Sequence, residues 1–304
     1  MNLAVGFFDG VHLGHRRILA QADAALTFSD HPAAVFAPER APALLMTRER
    51  RLASIAAALR SNSPRCGSRI VDRVRALDFT PELAKQSPAA FADWLKGAYP
   101  ELGTLFCGAN WTFGAEGAGD AAFLRTRGIQ VDVVSYAEYQ GLPVSSTRIR
   151  AAVAAGEMAA AAEMLGRSWC LEGRVASGKG LGRTLGFPTV NLLPAVGLVC
   201  PPLGVYAVRT PWGGGIANYG HAPTMGERAW TEPVLEIHLL RLAVEVSVRE
   251  GQSVSVEMMR FVRPERKFSS LEELRRQIAR DVAACPENVE RDTGRAEAGN
   301  EAMR

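Results

Sequence analysis

Cysteine is scarce in this 304-residue chain, and what there is forms no pattern. The five cysteines (Cys66, Cys107, Cys170, Cys200 and Cys285) are scattered, odd in number and never spaced as C-x-x-C. Such spacing supports neither a disulfide framework nor a zinc site. Long apolar runs are also missing. The most apolar stretch, residues 151–165, is broken by Gly156, Glu157 and Glu163, and it is shorter than the ~20 residues a membrane-spanning helix needs. Neither sign of charge is in excess: 35 Lys+Arg against 32 Asp+Glu leave +3. Composition alone therefore indicates no nucleic-acid or membrane partner. The opening MNLAVGFF carries no basic region, long apolar stretch or cleavage site. It reads as a strand and not as a targeting segment, and a cytoplasmic location is the expectation.

What is present is an ordinary globular composition, 47% hydrophobic and 22% charged, over a length that one core rarely fills. Two domains are expected. In the first half, residues 2–8 form an apolar run stopped by Asp9-Gly10, residues 13–25 fit a helix, and ALTFSD is a second strand stopped by His31-Pro32. Residues 47–60 have a helical pattern with Thr47 as N-cap. VRALDF, TLFCGA and VDVVSY read as strands, SPAAFADWLKGAY and residues 147–165 as helices. Alternating strands and helices predict a Rossmann-like α/β domain on a parallel sheet. From Trp169 to Val262 the pattern changes to short strands separated by glycine and proline, with TPWGGG as a hairpin connection. That spacing predicts a small antiparallel β-barrel. A terminal helix follows, SSLEELRRQIARDVAA, with Ser270 and Glu273 placed as a capping box and Leu271, Leu274, Ile278 and Val282 on one face. The expected division is 1–160 for the first domain, 161–285 for the second, and a polar, disordered tail over 286–304.

Two histidines stand three positions apart in VGFFDGVHLGHR, residues 5–16. His12 and His15 alone leave a metal short of ligands, and Asp9 belongs to the turn. Their place after a strand and a turn puts them at a helix N-terminus. There, free N–H groups, the helix dipole and imidazole donors attract phosphate. Gly14 lets a ligand approach the backbone. PVSSTRIR, residues 143–150, supplies a second helix start, with Ser145, Ser146 and Thr147 ahead of Arg148. By itself it reads as a helix cap. Together with the histidine segment it forms a second phosphate site, and two helix starts converging on one nucleotide suit adenylyl transfer, which needs alignment and charge stabilisation more than covalent catalysis.

In the second half, SGKGLGRTLGFPTVNL (177–192) lacks the spacing of a P-loop. Gly186 and Pro188 prevent the helix that a dinucleotide fingerprint requires. What remains is a glycine-lined loop carrying Lys179, Gly180 and Arg183, able to wrap phosphates with backbone N–H groups, followed by a strand. Glu236 interrupts the apolar strand VLEIHLL. A carboxylate there is costly without a partner or a task, unless strand alternation merely turns it outward. His238 shares its face and reads as structural, and His221 as a loop residue.

In order, GFFDGVHLGH, TFSDHP, GANWTFG, SSTRIR, GFPTVNL, GVYAV, GIANYGHAPT, LEIH and RPERKFSSLEELRRQIARD resemble the bacterial bifunctional riboflavin kinase/FAD synthetases. The resemblance spans nearly the whole chain. It implies a nucleotidyltransferase domain followed by a riboflavin kinase barrel, with riboflavin, FMN and ATP as partners and Mg²⁺ as cofactor. No nucleic acid or membrane partner is implied. By the same resemblance, His12, His15 and Gly14 contact ATP phosphates, Asn110 lines the nucleotide and flavin site, and Ser146, Thr147 and Arg148 hold the triphosphate. Pro188 belongs to the ATP-binding signature, Thr189 and Asn191 organise Mg²⁺ and phosphates, and Glu236 is the general base. The chain departs from the family pattern in three places: Ser29-Asp30 precede His31-Pro32 where T-F-x-P-H-P is usual, the stretch from His15 to Thr27 is short, and Leu240-Arg241-Leu242 replaces an L-D-F segment with no L-Y-G turn. Two alternatives remain open at this point: a kinase with a weak or inactive adenylyltransferase half, and a non-catalytic flavin or nucleotide-binding regulator.

Overall fold

The computed structural model describes residues 1–60, 73–176, 189–221, 232–240, 248–266 and 268–284. Lys179, Gly180, Arg183 and Pro188, Cys66 and Cys285, most of the Leu240-Arg241-Leu242 departure, and the tail 286–304 lie outside the described residues. The chain divides into two compact units, Met1–Ile149 with Met164–Gly166, and Arg150–Glu163 with Arg167–Arg304.

The first unit is built on five strands, β1 (Leu3–Val5), β2 (Ala24–Phe28), β3 (Val74–Leu77), β4 (Thr104–Gly108) and β5 (Gln130–Val134). They lie in the order β3-β2-β1-β4-β5, and every pairing is parallel. The connecting helices are α1 (Leu13–Leu19), α2 (Ala33–Phe36), α3 (Arg48–Arg60), α4 (Pro81–Ala84), α5 (Pro88–Ala98) and α6 (Ala121–Thr126). A parallel sheet has both faces covered, so its strands read as continuous apolar runs. Leu3 and Val5 face a core with Phe91, Leu95 and Leu124, while Ala4 between them faces one with Leu19, Ile55 and Leu59. Strand order runs outward from β1 to β3, then resumes on the other side of β1 with β4. The crevice at the carboxyl ends of β1 and β4 is therefore the topological switch point, where open α/β sheets bind ligands.

Two local expectations are corrected, and one element is added. The helix expected over 13–25 stops at Leu19, because Ala24 must already pair with Leu3 in the sheet. The segment 147–165 is two helices, α7 (Ser146–Ala154) and α8 (Met158–Leu165), parted at Gly156, whose φ of 78° suits a residue without Cβ. A short hairpin, β6 (Glu138–Tyr139) and β7 (Leu142–Pro143), precedes α7. Its turn places Gln140 and Gly141 at φ 54° and 72°, the left-handed pair that tight hairpins favour.

The second unit is a closed antiparallel barrel. Its strands are β8 (Trp169–Ala176), β9 (Thr189–Pro194), β10 (Gly204–Thr210), β11 (Gly213–Gly220), β12 (Val234–Leu239) and β13 (Ser253–Arg263), ordered β10-β11-β12-β9-β8-β13. Pro211 and Trp212 form the expected connection between β10 and β11. Leu192, Tyr206, Ala217, Leu235 and Ile237 are buried to 2% exposure or less and alternate with residues on the outer face.

The terminal helix α9 (Leu271–Ala283) begins where Ser270 accepts a hydrogen bond from the Glu273 N–H. The reciprocal half of the capping box is displaced by one residue: the Glu273 carboxylate accepts from Ser269 N and Oγ at 3.0 and 2.9 Å. Those bonds hold the Glu273 carboxyl below its ordinary range. Arg263 ties the helix to the barrel through three hydrogen bonds to Asp281, the shortest 2.7 Å.

Candidate active sites

The turn after β1 is unusual backbone. Phe8, Gly10 and Val11 have φ of 59°, 80° and 40°, and left-handed geometry is costly for a β-branched residue. Buried contacts hold it. The Asp9 carboxylate accepts from Leu45 N at 3.0 and 3.2 Å, and Val11 is 1% exposed. This turn delivers His12 as the N-cap of α1, where its Nδ1 accepts from His15 N at 3.3 Å. The helix start is thus partly satisfied by the histidine itself. The two imidazoles are what the turn presents, more than a set of bare N–H groups.

His12 and His15 stack face to face, with ring centroids 3.5 Å apart. The Phe8 ring meets His15 edge-on at 5.3 Å. Burial, and then the neighbouring His12, hold His15 well below its ordinary pKa of 6.5, so it is a neutral imidazole at pH 7. Its Nδ1 is buried without a hydrogen-bond partner. Gly14 also serves the histidine pair. A Cβ there would lie 3.2 Å from His12 Cε1, so the close approach it permits is that of the His12 ring.

Ser146 is the first residue of α7, and its Oγ donates to the Asp9 carbonyl at 2.9 Å. The two motifs expected to share a nucleotide therefore meet directly within the first unit. Ser145 Oγ accepts from Arg148 N at 3.3 Å, so the cap expected of this segment also exists. Thr147 is exposed. The Arg148 guanidinium donates to the Leu142, Pro143 and Tyr139 carbonyls, so three of its bonds brace the β6–β7 hairpin. Asn110 is exposed and follows the carboxyl end of β4, next to β1 in the sheet.

On the barrel, strand register builds a polar row. Glu236 on β12 stands opposite Asn191 on β9 and, on its other side, opposite Asn218 on β11. His238 stands opposite Thr189. Directly opposed side chains share a face and lie about 5 Å apart at Cβ. Leu235 and Ile237 are both 0% exposed and fill the interior, which leaves Glu236 and His238 on the outer face. Alternation thus explains why a carboxylate interrupts an apolar strand. His238 is 9% exposed with its Nδ1 unpartnered. Burial lowers its pKa, and Glu236 acts in the opposite direction.

Two participants escape sequence reasoning. Asp9 looks like an ordinary turn residue, and only its burial at 3% and its contacts to Leu45 and Ser146 reveal a scaffold role. Asn218 sits in an unremarkable strand, GIANYG. Its amide is fixed by a hydrogen bond to Glu265 at 3.1 Å, and its place beside Glu236 emerges only from register. Among the described residues, no group of three or more His, Cys, Asp or Glu side chains forms a metal cluster, and no helix is long and apolar enough to cross a membrane.

The two units thus carry different candidate sites: a parallel sheet with paired imidazoles beside its switch point, and a barrel wall with a carboxylate between two amides. Comparison with known proteins agrees. The family model described as FAD synthetase matches residues 1–148, and the one described as riboflavin kinase matches residues 165–289. The chain is 34% identical to the bifunctional riboflavin kinase/FMN adenylyltransferase of Escherichia coli (strain K12), covering 94% of this chain and 91% of that one. It is 35% identical to the protein of that name from Pseudomonas fluorescens, with 92% and 90% covered, and 30% identical to that from Bacillus subtilis (strain 168), with 92% and 89% covered. A crystal structure titled as a macrolide-efflux protein from Streptococcus pneumoniae superposes with a TM-score of 0.75 at 24% identity, over 93% of this chain and 92% of that one. That likeness concerns the fold alone. The chain belongs to the bifunctional riboflavin kinase/FMN adenylyltransferase family, and it is an enzyme of that family.

Proposed function

We propose that the chain makes FAD from riboflavin in two ATP-dependent steps, with residues 161–285 acting as the riboflavin kinase and residues 1–160 as the FMN adenylyltransferase. The observation behind the first step is the register that sets Glu236 opposite Asn191 and places Thr189 on the same face. Glu236 removes the proton from the ribityl 5′-hydroxyl as its oxygen attacks the γ-phosphorus of ATP. The bond from that phosphorus to ADP breaks, and FMN forms. Thr189 and Asn191 offer neutral oxygens, a donor set that fits a hard cation arriving with nucleotide phosphates and keeping several waters. Bound there, Mg²⁺ neutralises charge on the transferring phosphates. Lys179, Gly180, Arg183 and Pro188 are assigned to the phosphate-wrapping loop.

In the second step a phosphate oxygen of FMN attacks the α-phosphorus of a second ATP, and the bond to pyrophosphate breaks. His12 and His15 donate to the phosphate oxygens that gain charge, a task suited to neutral imidazoles fixed by stacking. Ser146, Thr147 and Arg148 hold the leaving pyrophosphate, and Gly14 keeps the His12 ring in place. Asn110 lines the nucleotide and flavin crevice.

Chromatography of products from riboflavin and MgATP tests both steps. FMN appears first and FAD follows. FMN that accumulates without FAD favours a kinase with an idle first half. ATP that is not consumed when riboflavin is added leaves only a binding protein.

A further inference from the structure

We propose that Arg51 is a positioning residue for the flavin side of the adenylyl-transfer site, acting through the ends of β1 and β2 without touching ATP. This rests on the function proposed for the first unit. Arg51 lies in the first turn of α3, capped by Thr47. That is a poor place for a cation. The helix dipole is positive at this end, and Arg48 and Arg50 crowd the same turn. Its side chain is also wholly buried, at 0% exposure, where a charge must be well coordinated to be tolerated. Burial lowers the guanidinium pKa to about 10, while Asp9 and Asp30 favour the charged form, so it remains a cation at neutral pH.

Its contacts explain the position. Nη1 donates to the Phe7 carbonyl at 2.8 Å and to Thr27 Oγ1 at 3.4 Å, and Nη2 donates to the Ser29 carbonyl at 2.6 Å. One planar fork thereby fixes the chain leaving β1 and the chain leaving β2. The guanidinium carbon lies 3.8 Å from the centre of the Phe7 ring. That ring meets the His31 imidazole edge-on at 4.8 Å. A stack thus runs from Arg51 through Phe7 to His31, at the mouth of β2. Ser29 Oγ, 1% exposed, and Arg51 Nε are both buried without hydrogen-bond partners. Packing alone does not account for two unsatisfied polar atoms at one strand end.

The chemistry assigns this end to FMN. Displacement at the α-phosphorus is in line, so the attacking phosphate enters opposite the leaving pyrophosphate. Ser146, proposed for the pyrophosphate, lies on α7, and His12 and His15, proposed for the phosphate oxygens that gain charge, lie at the start of α1. Arg51 reaches neither helix in any of these contacts. It braces the chain leaving β1 against the chain leaving β2 and, through Phe7, reaches His31 at the end of β2, the side on which the flavin nucleotide is proposed to enter.

The test uses the full chain with Arg51→Lys, Arg51→Met and Phe7→Leu. Lysine keeps the charge and loses the planar fork, while Phe7→Leu breaks the stack and leaves the buried cation in place. Initial rates of FAD formation give KM for FMN and for ATP separately, and FMN formation from riboflavin is measured on the same preparations. Arg51→Lys and Phe7→Leu should raise KM for FMN about tenfold or more while KM for ATP changes less than about twofold. Kinase activity should be unchanged. If Arg51→Met unfolds the first unit, the other two variants decide. Unchanged KM for FMN in both, or equal rises in both KM values, overturns the assignment. Wild-type protein that converts FMN and ATP to no FAD overturns the adenylyl-transfer proposal, and this one with it.

Discussion

The imidazoles of His12 and His15 lie 19° from parallel with their centroids 3.5 Å apart. At that distance, in a buried setting, the pair does not carry two positive charges, because desolvation and like-charge repulsion both favour the neutral form. With burial holding His15 below its ordinary pKa and His12 Nδ1 accepting from His15 N, the stack is a fixed pair whose consequences can be measured.

Acid should weaken the first unit through His15. The folded chain holds this ring well below 6.5. Below 6.5 the unfolded chain therefore binds the extra proton, and stability falls as the pH drops toward the folded value. Urea unfolding followed down to about pH 5 should show a steeper loss for wild type than for His15→Gln. Equal slopes would refute the shift.

His15→Ala should lower FAD synthesis about a hundredfold or more, the scale of losing one preorganised donor to a developing oxyanion. FMN formation should continue at its wild-type rate. Glu236→Gln should do the reverse, reducing riboflavin phosphorylation by about a hundredfold or more and sparing conversion of FMN to FAD. Parallel loss of both activities in either variant would show that the two steps do not use separate residues.

Gly14→Ala separates helix stability from function. Alanine favours a helix over glycine by about 0.8–1 kcal/mol, yet the new Cβ would press on the His12 ring at 3.2 Å. The melting temperature should hold, while FAD synthesis falls as the ring is displaced. A fully active variant would show that the ring position does not matter.

The barrel's terminal helix depends on one buried ion pair. Arg263 and Asp281 are 19% and 4% exposed in their side chains. Removing one partner of such a pair leaves an uncompensated charge and costs about 3 kcal/mol or more. Asp281→Ala should therefore lower the thermal midpoint of kinase activity and leave FAD formation from FMN unaffected at low temperature. An unchanged midpoint would make the pair dispensable.

Much of this was legible in the sequence. Period and punctuation located the strands, because parallel strands buried on both faces and barrel strands with one polar face carry different patterns. Thr47 and Ser270 announced their helices through capping chemistry that is local. Non-local facts were not legible. The end of α1 at Leu19 is set by Leu3 pairing with Ala24, the Asn218–Glu236 neighbourhood by register across β11 and β12, and the burial of Arg51 by three acceptors on other segments. Arg51 in particular looks like one more charge on a solvated helix face until the ends of β1 and β2 are seen to converge on it.

The bond from Ser146 to the Asp9 carbonyl joins residues 137 positions apart. A ribosome making this protein releases the histidine turn early and its partner helix much later, about 7–30 s on at ordinary elongation rates. During that interval the nascent chain has only half of the proposed nucleotide site. A fragment ending after β5 would retain all five sheet strands yet lack the clasp. If the clasp is required as proposed, no shorter product of interrupted translation should consume ATP to make FAD.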